Sequence, residues 1–164
     1  MRLVAPASLE QLALESARQY DECYGLAFAQ QLKNKDIPEG GSKAVCLIDT
    51  NDIANTTRDY VLRKSVKAMT DSMLDLVVDT EETSDTIVDY FGKREVLYLG
   101  PDENVLPEDI NWIIKRAKLR GYDTPAAFMS SKPKAGINHK EYGVTSEGRL
   151  SCPRAPLLGT EYSV

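Results

Sequence analysis

One short, unbroken apolar run and one further strand-like run constrain this chain more than anything else in it. Residues 44–48 (AVCLI) follow a glycine pair, and residues 94–99 (REVLYL) run straight into Gly100 and Pro101. Both are bounded by turn residues and too short for an ordinary helix, so each reads as a strand. The first reads as a buried strand of a parallel sheet rather than an exposed edge. Residues 126–129 form a third possible strand. Elsewhere the apolar residues recur at helical spacing. Ser8 with Gln11 reads as a capping box, followed by Leu9, Leu12, Ala13, Ala17, Tyr20 and Tyr24 on a helix over residues 8–31. Leu62, Val66, Met69, Met73 and Leu76 mark one face of a second helix, with Asp52 as its cap, and a shorter helix is expected over residues 86–91. Pro107, with Glu108 and Asp109 in the first turn, opens a helix whose apolar face is Ile110, Ile113, Ile114 and Ala117, and Gly121 stops it. Strands alternating with helices imply an α/β layer fold: a short, mostly buried sheet flanked by helices. Residues 149–164 carry two prolines and no period, and read as a poorly ordered tail.

Charge and composition exclude several classes. The 164 residues carry 20 Lys+Arg against 25 Asp+Glu, a net charge of −5, so the basic excess of a nucleic-acid binder is missing. No apolar run approaches the ~20 residues of a membrane span, and no membrane partner is expected. The three cysteines, Cys23, Cys46 and Cys152, are too scattered for a disulfide framework or a zinc ribbon, and a reducing compartment follows. The start has no transit-peptide character, which points to the cytosol, with mitochondria as the alternative.

Three segments could carry chemistry. In Pro38-Glu39-Gly40-Gly41-Ser42-Lys43, two glycines let backbone approach a ligand, and a lysine desolvated behind them would have a lowered pKa and could act as a base. The plain alternative is a surface turn with an exposed lysine. Asp102, in Gly100-Pro101-Asp102-Glu103-Asn104 at the carboxyl end of the second strand, stands where ligands gather in open α/β sheets and could exchange protons. An ordinary Pro-Asp turn is the alternative. The polar stretch 129–148 is long enough to be functional. Its one histidine, His139, has no His or Cys partner at ligand spacing, so no metal site is expected.

The residues in order are recognisable. Residues 32–43 (LKNKDIPEGGSK), 98–104 (YLGPDEN), 127–133 (AFMSSKP) and 135–148 (AGINHKEYGVTSEG) resemble the large NAD-dependent glutamate dehydrogenases, with a look closest to the fungal enzymes, over roughly residues 1–148. The resemblance implies a substrate-binding α/β domain that precedes a Rossmann-type NAD domain. It also implies reversible oxidative deamination of L-glutamate to 2-oxoglutarate and ammonia, with hydride passing to the nicotinamide. Lys43 matches the catalytic lysine of a P-x-G-G-x-K pattern, and Asp102 the acid that shuttles protons at the substrate nitrogen. Lys33 or Lys35 matches a lysine for a substrate carboxylate, beside Gly40 and Gly41. Thr145 matches a threonine that touches the nicotinamide, and Lys132 lies in a motif near the cofactor.

The departures matter equally. No G-x-G-x-x-G follows a strand, and residues 149–164 diverge from the family, as a shifted frame or a read-through intron would leave them. Lys134 stands where glycine is expected. The chain therefore reads as a partial substrate-binding and dimerisation domain over residues 1–148, a divergent tail over 149–164, and no NAD domain. It is expected to be inactive alone, marginally stable through unpaired strand edges, and prone to homo-oligomerise or associate with full-length subunits. The alternative is a non-catalytic module that binds glutamate or 2-oxoglutarate, or pairs with other subunits.

Overall fold

The computed structural model describes residues 1–33, 40–49, 57–132 and Gly143. The expectations at Lys35, Asp52, His139, Thr145, Lys134 and the 149–164 tail lie outside the described residues. Within them the fold is α/β, with a two-stranded parallel sheet and three α-helices. Strand β1 (Arg2–Val4) pairs with β2 (Val45–Leu47) in the register Arg2↔Val45, Leu3↔Cys46 and Val4↔Leu47. No helix among the described residues is long and apolar enough to cross a membrane.

On the other side of β1, the backbone after residue 99 runs alongside as a third, irregular line. The Met1 nitrogen donates to the Gly100 carbonyl at 2.6 Å, and the Asp102 amide donates to the Met1 carbonyl at 3.0 Å. A regular parallel ladder would next join the Leu3 amide to the Asp102 carbonyl. Instead that amide reaches Glu103 O at 3.1 Å, a slip of one residue. The Asn104 side-chain amide then donates to Leu3 O at 2.8 Å, with Asn104 at φ +61°. The slip is bulge-like and re-aims the side chains at 102 and 103.

The expected strand over 94–99 is reduced to one bridge, Leu99 with Met129. Its Leu97 amide is taken by the Tyr122 hydroxyl at 2.6 Å, which leaves no ladder to extend. Val96 and Tyr98 face solvent, so the run is half-covered rather than buried. The expected strand over 126–129 is a 3₁₀ turn, Pro125–Ala127, started by a proline that has no amide to give a ladder. Residues 86–91 form turns rather than a helix: the Thr83 carbonyl takes the Thr86 and Ile87 amides, and the Asp89 carboxylate takes those of Phe91 and Gly92.

Helix α1 (Leu9–Gln31) begins as its sequence indicates: Ser8 Oγ accepts from the Gln11 amide at 3.2 Å. Helix α2 (Arg58–Val77) has Thr57, not Asp52, at its N-cap, and it buries Leu62, Val66, Thr70 and Leu74. Leu76 lies off that face and is exposed. Thr70 is tolerated in the core because its hydroxyl donates to Val66 O, one turn back. Helix α3 (Pro107–Leu119) buries Ile110, Ile113 and Ala117 and ends at Gly121, whose φ of +79° suits glycine. The core gathers Leu3, Ile48, Val66, Leu74, Ile113, Phe128 and Met129 between β1, α2 and α3. Tyr122 packs edge-on to Phe128 at 5.1 Å.

Candidate functional site

The site forms where three lines of backbone come together. Lys43 lies two residues before Val45, and Val45 is in register with Arg2. Side chains two apart on an extended strand share a face, so Arg2 and Lys43 project to the same side of the sheet. The bulged segment beside β1 brings up Asp102 and Glu103. Lys43 Nζ lies 3.2 Å from Asp102 Oδ2 and 2.7 Å from Glu22 Oε1. Arg2 grips Glu103 Oε2 through Nε and Nη2, at 3.0 and 2.6 Å, and its Nη1 reaches Glu22 Oε1 at 3.5 Å.

Helix α1 enters this arrangement for a backbone reason. Among the described residues β2 is paired on one edge only, so the carbonyls of Lys43 and Val45 face the other edge. Gln19 Nε2 donates to Val45 O at 3.2 Å, and Cys23 Sγ donates to Lys43 O at 3.5 Å. The helix thus covers a strand edge with polar side chains. Glu22, one position before Cys23, is carried to the Lys43 amine. The expected apolar stripe of α1 consequently turns outward: Leu9, Tyr20 and Tyr24 are exposed, and Tyr20 stacks on Tyr24.

Electrostatics correct one expectation. Lys43 is not a desolvated lysine with a lowered pKa. Its hydrogen bond to Glu22, reinforced by Asp102, outweighs burial and raises its pKa, so it is held as an ammonium. Glu22 is pushed below the usual carboxylate range, first by the Lys43 hydrogen bond and then by the Lys43 and Arg2 charges. At Asp102 burial is the largest single influence and acts upward. The Lys43 hydrogen bond and charge, the Glu103 backbone N–H and the Arg2 charge together exceed it, so Asp102 is held ionised.

The other expected residues stand apart from this pair. Gly40 and Gly41 are exposed, with open space where a Cβ would point, and Gly41 has φ +130°. Lys33 is exposed just past the end of α1, ~15 Å along the helix axis from Glu22. Lys132 is half-buried shortly after Met129, and the parallel bridge to Leu99 sends residues 130–132 and 100–102 off in one direction. A cleft between the end of α2, residues 83–95 and residues 121–123 is lined by Asp75, Asp79, Thr83 and Tyr122 but by neither Lys43 nor Asp102, so it is separate from this site. Sequence reasoning missed Glu22 and Arg2. The signal for Glu22 was the polar stripe Gln19-Glu22-Cys23, which an exposed helix face would also show.

The chain is 39% identical over 150 residues to the NAD-specific glutamate dehydrogenase of Neurospora crassa, covering 89% of this chain and 14% of that protein. It is 36% identical over 148 residues to the probable NAD-specific glutamate dehydrogenase of Schizosaccharomyces pombe, covering 89% and 13%. It is 33% identical over 150 residues to the NAD-specific glutamate dehydrogenase of Saccharomyces cerevisiae, covering 90% and 13%. The chain is thus similar to NAD-specific glutamate dehydrogenases over about nine-tenths of its own length, and it spans about one-seventh of the length of the relatives it matches. No family model matches it, and no solved structure does.

NAD, the cofactor in the relatives' names, does not fit the described residues. A dinucleotide pyrophosphate is held at a helix N-terminus opened by a glycine turn. Here α1 opens after Pro6-Ala7-Ser8, α2 after Asn55-Thr56-Thr57 and α3 after Val105-Leu106, with no glycine at any of them.

Proposed function

We propose that this chain is part of the substrate-binding domain of a glutamate dehydrogenase. In this reading Lys43 and Asp102 handle protons and charge as L-glutamate and 2-oxoglutarate plus ammonia interconvert. The observation that carries it is the 3.2 Å approach of two groups that sequence likeness had singled out separately. An ionised Asp102 takes a proton from the substrate ammonium in the deaminating direction and returns it in the other. Lys43, as an ammonium, supports the negative charge that develops on oxygen at the substrate α-carbon as water adds and ammonia leaves. Gly40 and Gly41 leave open backbone three and two residues before the lysine.

The 164-residue polypeptide by itself does not turn over glutamate in this reading, because no helix among its described residues opens on the glycine turn that a dinucleotide needs. Two measurements test it. The purified chain with L-glutamate and NAD⁺ should form no NADH. A Neurospora crassa enzyme carrying this chain's residues in the matched segment should oxidise glutamate, and lose at least ~10²-fold with Lys43→Ala or Asp102→Asn. NADH from the chain alone, or undiminished oxidation in either variant, refutes the reading.

One observation favours a second reading, a subunit-interaction module. Helix α1 buries none of its residues fully and presents Tyr20, Tyr24 and Phe28 to solvent. Concentration-dependent association in sedimentation, abolished by Tyr24→Lys, supports it; a monomer at every concentration rules it out.

A further inference from the structure

We propose that Glu22 is a positioning residue: from α1 it holds the Lys43 amine against Asp102, so a helix outside the sheet sets the geometry of the pair. The inference rests on the reading of Lys43 and Asp102 as the reacting groups. Its first ground is distance. The amine lies 2.7 Å from Glu22 and 3.2 Å from Asp102, so its tighter contact is to the residue that has no assigned role.

The second ground is closure. Glu22 Oε1 serves both Lys43 and Arg2, Arg2 is fixed by two contacts to Glu103, and Glu103 is the chain neighbour of Asp102. The ring therefore begins and ends on the two groups it aligns. Among the described residues, the Met1 amino group also acts on Lys43 by its charge. The third ground is anchoring. Cys23 Sγ donates to Lys43 O, and Ser42 Oγ donates to Cys23 O, so the helical turn bearing Glu22 is tied to the backbone bearing Lys43 on both sides. An isolated surface pair between two long side chains is worth little, because each can leave the other. Here the two backbones are tied to each other, so the flexible lysine stem is held nearer the geometry that reaction needs.

The test is competitive acetylation of the purified 164-residue chain with acetic anhydride, from about pH 7 to about pH 11. Lys43 is read by mass spectrometry against Lys115 of the same molecule. Four chains are compared: the parent, Glu22→Gln, Asp102→Asn and the double variant. Glu22→Gln should move the Lys43 profile down by about one pH unit, about tenfold more labelling at a fixed pH below the midpoint. Asp102→Asn should also move it down in the parent, but clearly less once Glu22 is gone, because the amine no longer rests on Asp102.

An unchanged profile in Glu22→Gln overturns the proposal. So does an Asp102→Asn shift that is equal or larger without Glu22, which would make Glu22 an independent charge or a competitor. If Asp102→Asn leaves the parent profile unmoved, the pairing itself fails, and the proposed function fails with it. If Glu22→Gln loses its helical circular dichroism, Glu22→Asp carries the same comparison. It keeps the charge but draws the carboxylate back by one methylene, and an Asp102→Asn shift undiminished in that background overturns the proposal equally.

Discussion

Asp109→Ala is the substitution whose effect the structure specifies most fully. Asp109 sits at the third position of α3, buried, and its Oδ2 accepts from the Leu106 amide at 2.8 Å. The same carboxylate pairs with Arg63, whose other nitrogen donates to Asn104 O at 2.6 Å. Asn104 in turn closes on Leu3 O. One carboxylate thus starts a helix and braces the segment that presents Asp102. Loss of the cap costs ~1 kcal/mol. Breaking a buried pair costs ~3–5 kcal/mol where the surviving charge is sealed from water. The Arg63 side chain keeps 28% of its exposure, so water relieves part of that, and ~2 kcal/mol is the appropriate share. The total is ~3 kcal/mol. Urea unfolding followed by circular dichroism should show it, and Arg63→Ala with Asp109→Ala should cost less than the two apart. Hydrogen exchange adds a local readout: the Leu3 amide should lose protection first. A loss below ~1 kcal/mol, or strict additivity, refutes the assignment of Asp109 as the common brace.

Stability should also depend on pH at both extremes. Asp102 and Glu22 have lowered folded-state pKa values, so their contribution is present above the ordinary carboxylate value near ~4 and is lost as pH falls through the folded values. Lys43 has a raised value, so its contribution is full below the ordinary lysine value near ~10.4 and is lost as pH rises through the folded one. Lys43→Met should flatten both limbs of the urea midpoint against pH; limbs as steep as the parent's would rule out the cluster as their source. Phe128→Ala should cost ~3–5 kcal/mol in urea unfolding, since the ring is fully buried and edge-on to Tyr122, and a cost under ~1 kcal/mol would show a poorly packed core. Tyr122→Phe should cost ~1 kcal/mol and expose the Leu97 amide to exchange, because the hydroxyl is that amide's partner; retained protection would mean another acceptor. Gly41→Ala should destabilise by ~1 kcal/mol through its φ of +130° although nothing crowds its Cβ, and a neutral result would show that this turn relaxes freely.

Helices were legible where periodicity and caps agreed. Ser8 and Gln11 fixed the start of α1, and Pro107 and Gly121 bounded α3. Strands were less legible because pairing is not a property of the run itself. The run at 94–99 ends in strand composition (VLYL), yet its Leu97 amide goes to a tyrosine hydroxyl from beyond α3. Conversely, β1 has only three residues, too few for any alternation to show, and it exists because the Gly100 and Ala44 carbonyls accept from Met1 and Arg2 on either side. The bulge that aims Asp102 depends on a one-residue slip at Glu103, which a Pro-Asp turn signal does not encode.

The orientation of α1 shows why the site was only half legible. A helix with Tyr20, Tyr24 and Phe28 along one side would be expected to bury that side. The structure turns it outward, because β2 offers an edge, unpaired by any strand among the described residues, whose carbonyls need donors more than the core needs another apolar face. Gln19 and Cys23 meet that need, and the choice of face then decides everything nearby: it brings Glu22 to the amine, converts an expected neutral base into a held ammonium, and leaves an aromatic stripe uncovered. The catalytic assignment and the association surface are therefore linked. A partner that drew the Tyr20–Phe28 face into an interface would load the same helix that fixes Lys43, so association should register in the Lys43 acetylation profile. Substitutions on the outward face that prevent association without disturbing Gln19 or Cys23 should leave that profile at its monomer position at every concentration. A parent profile that stays unchanged across the concentrations at which the chain associates would show that the two faces of α1 are uncoupled.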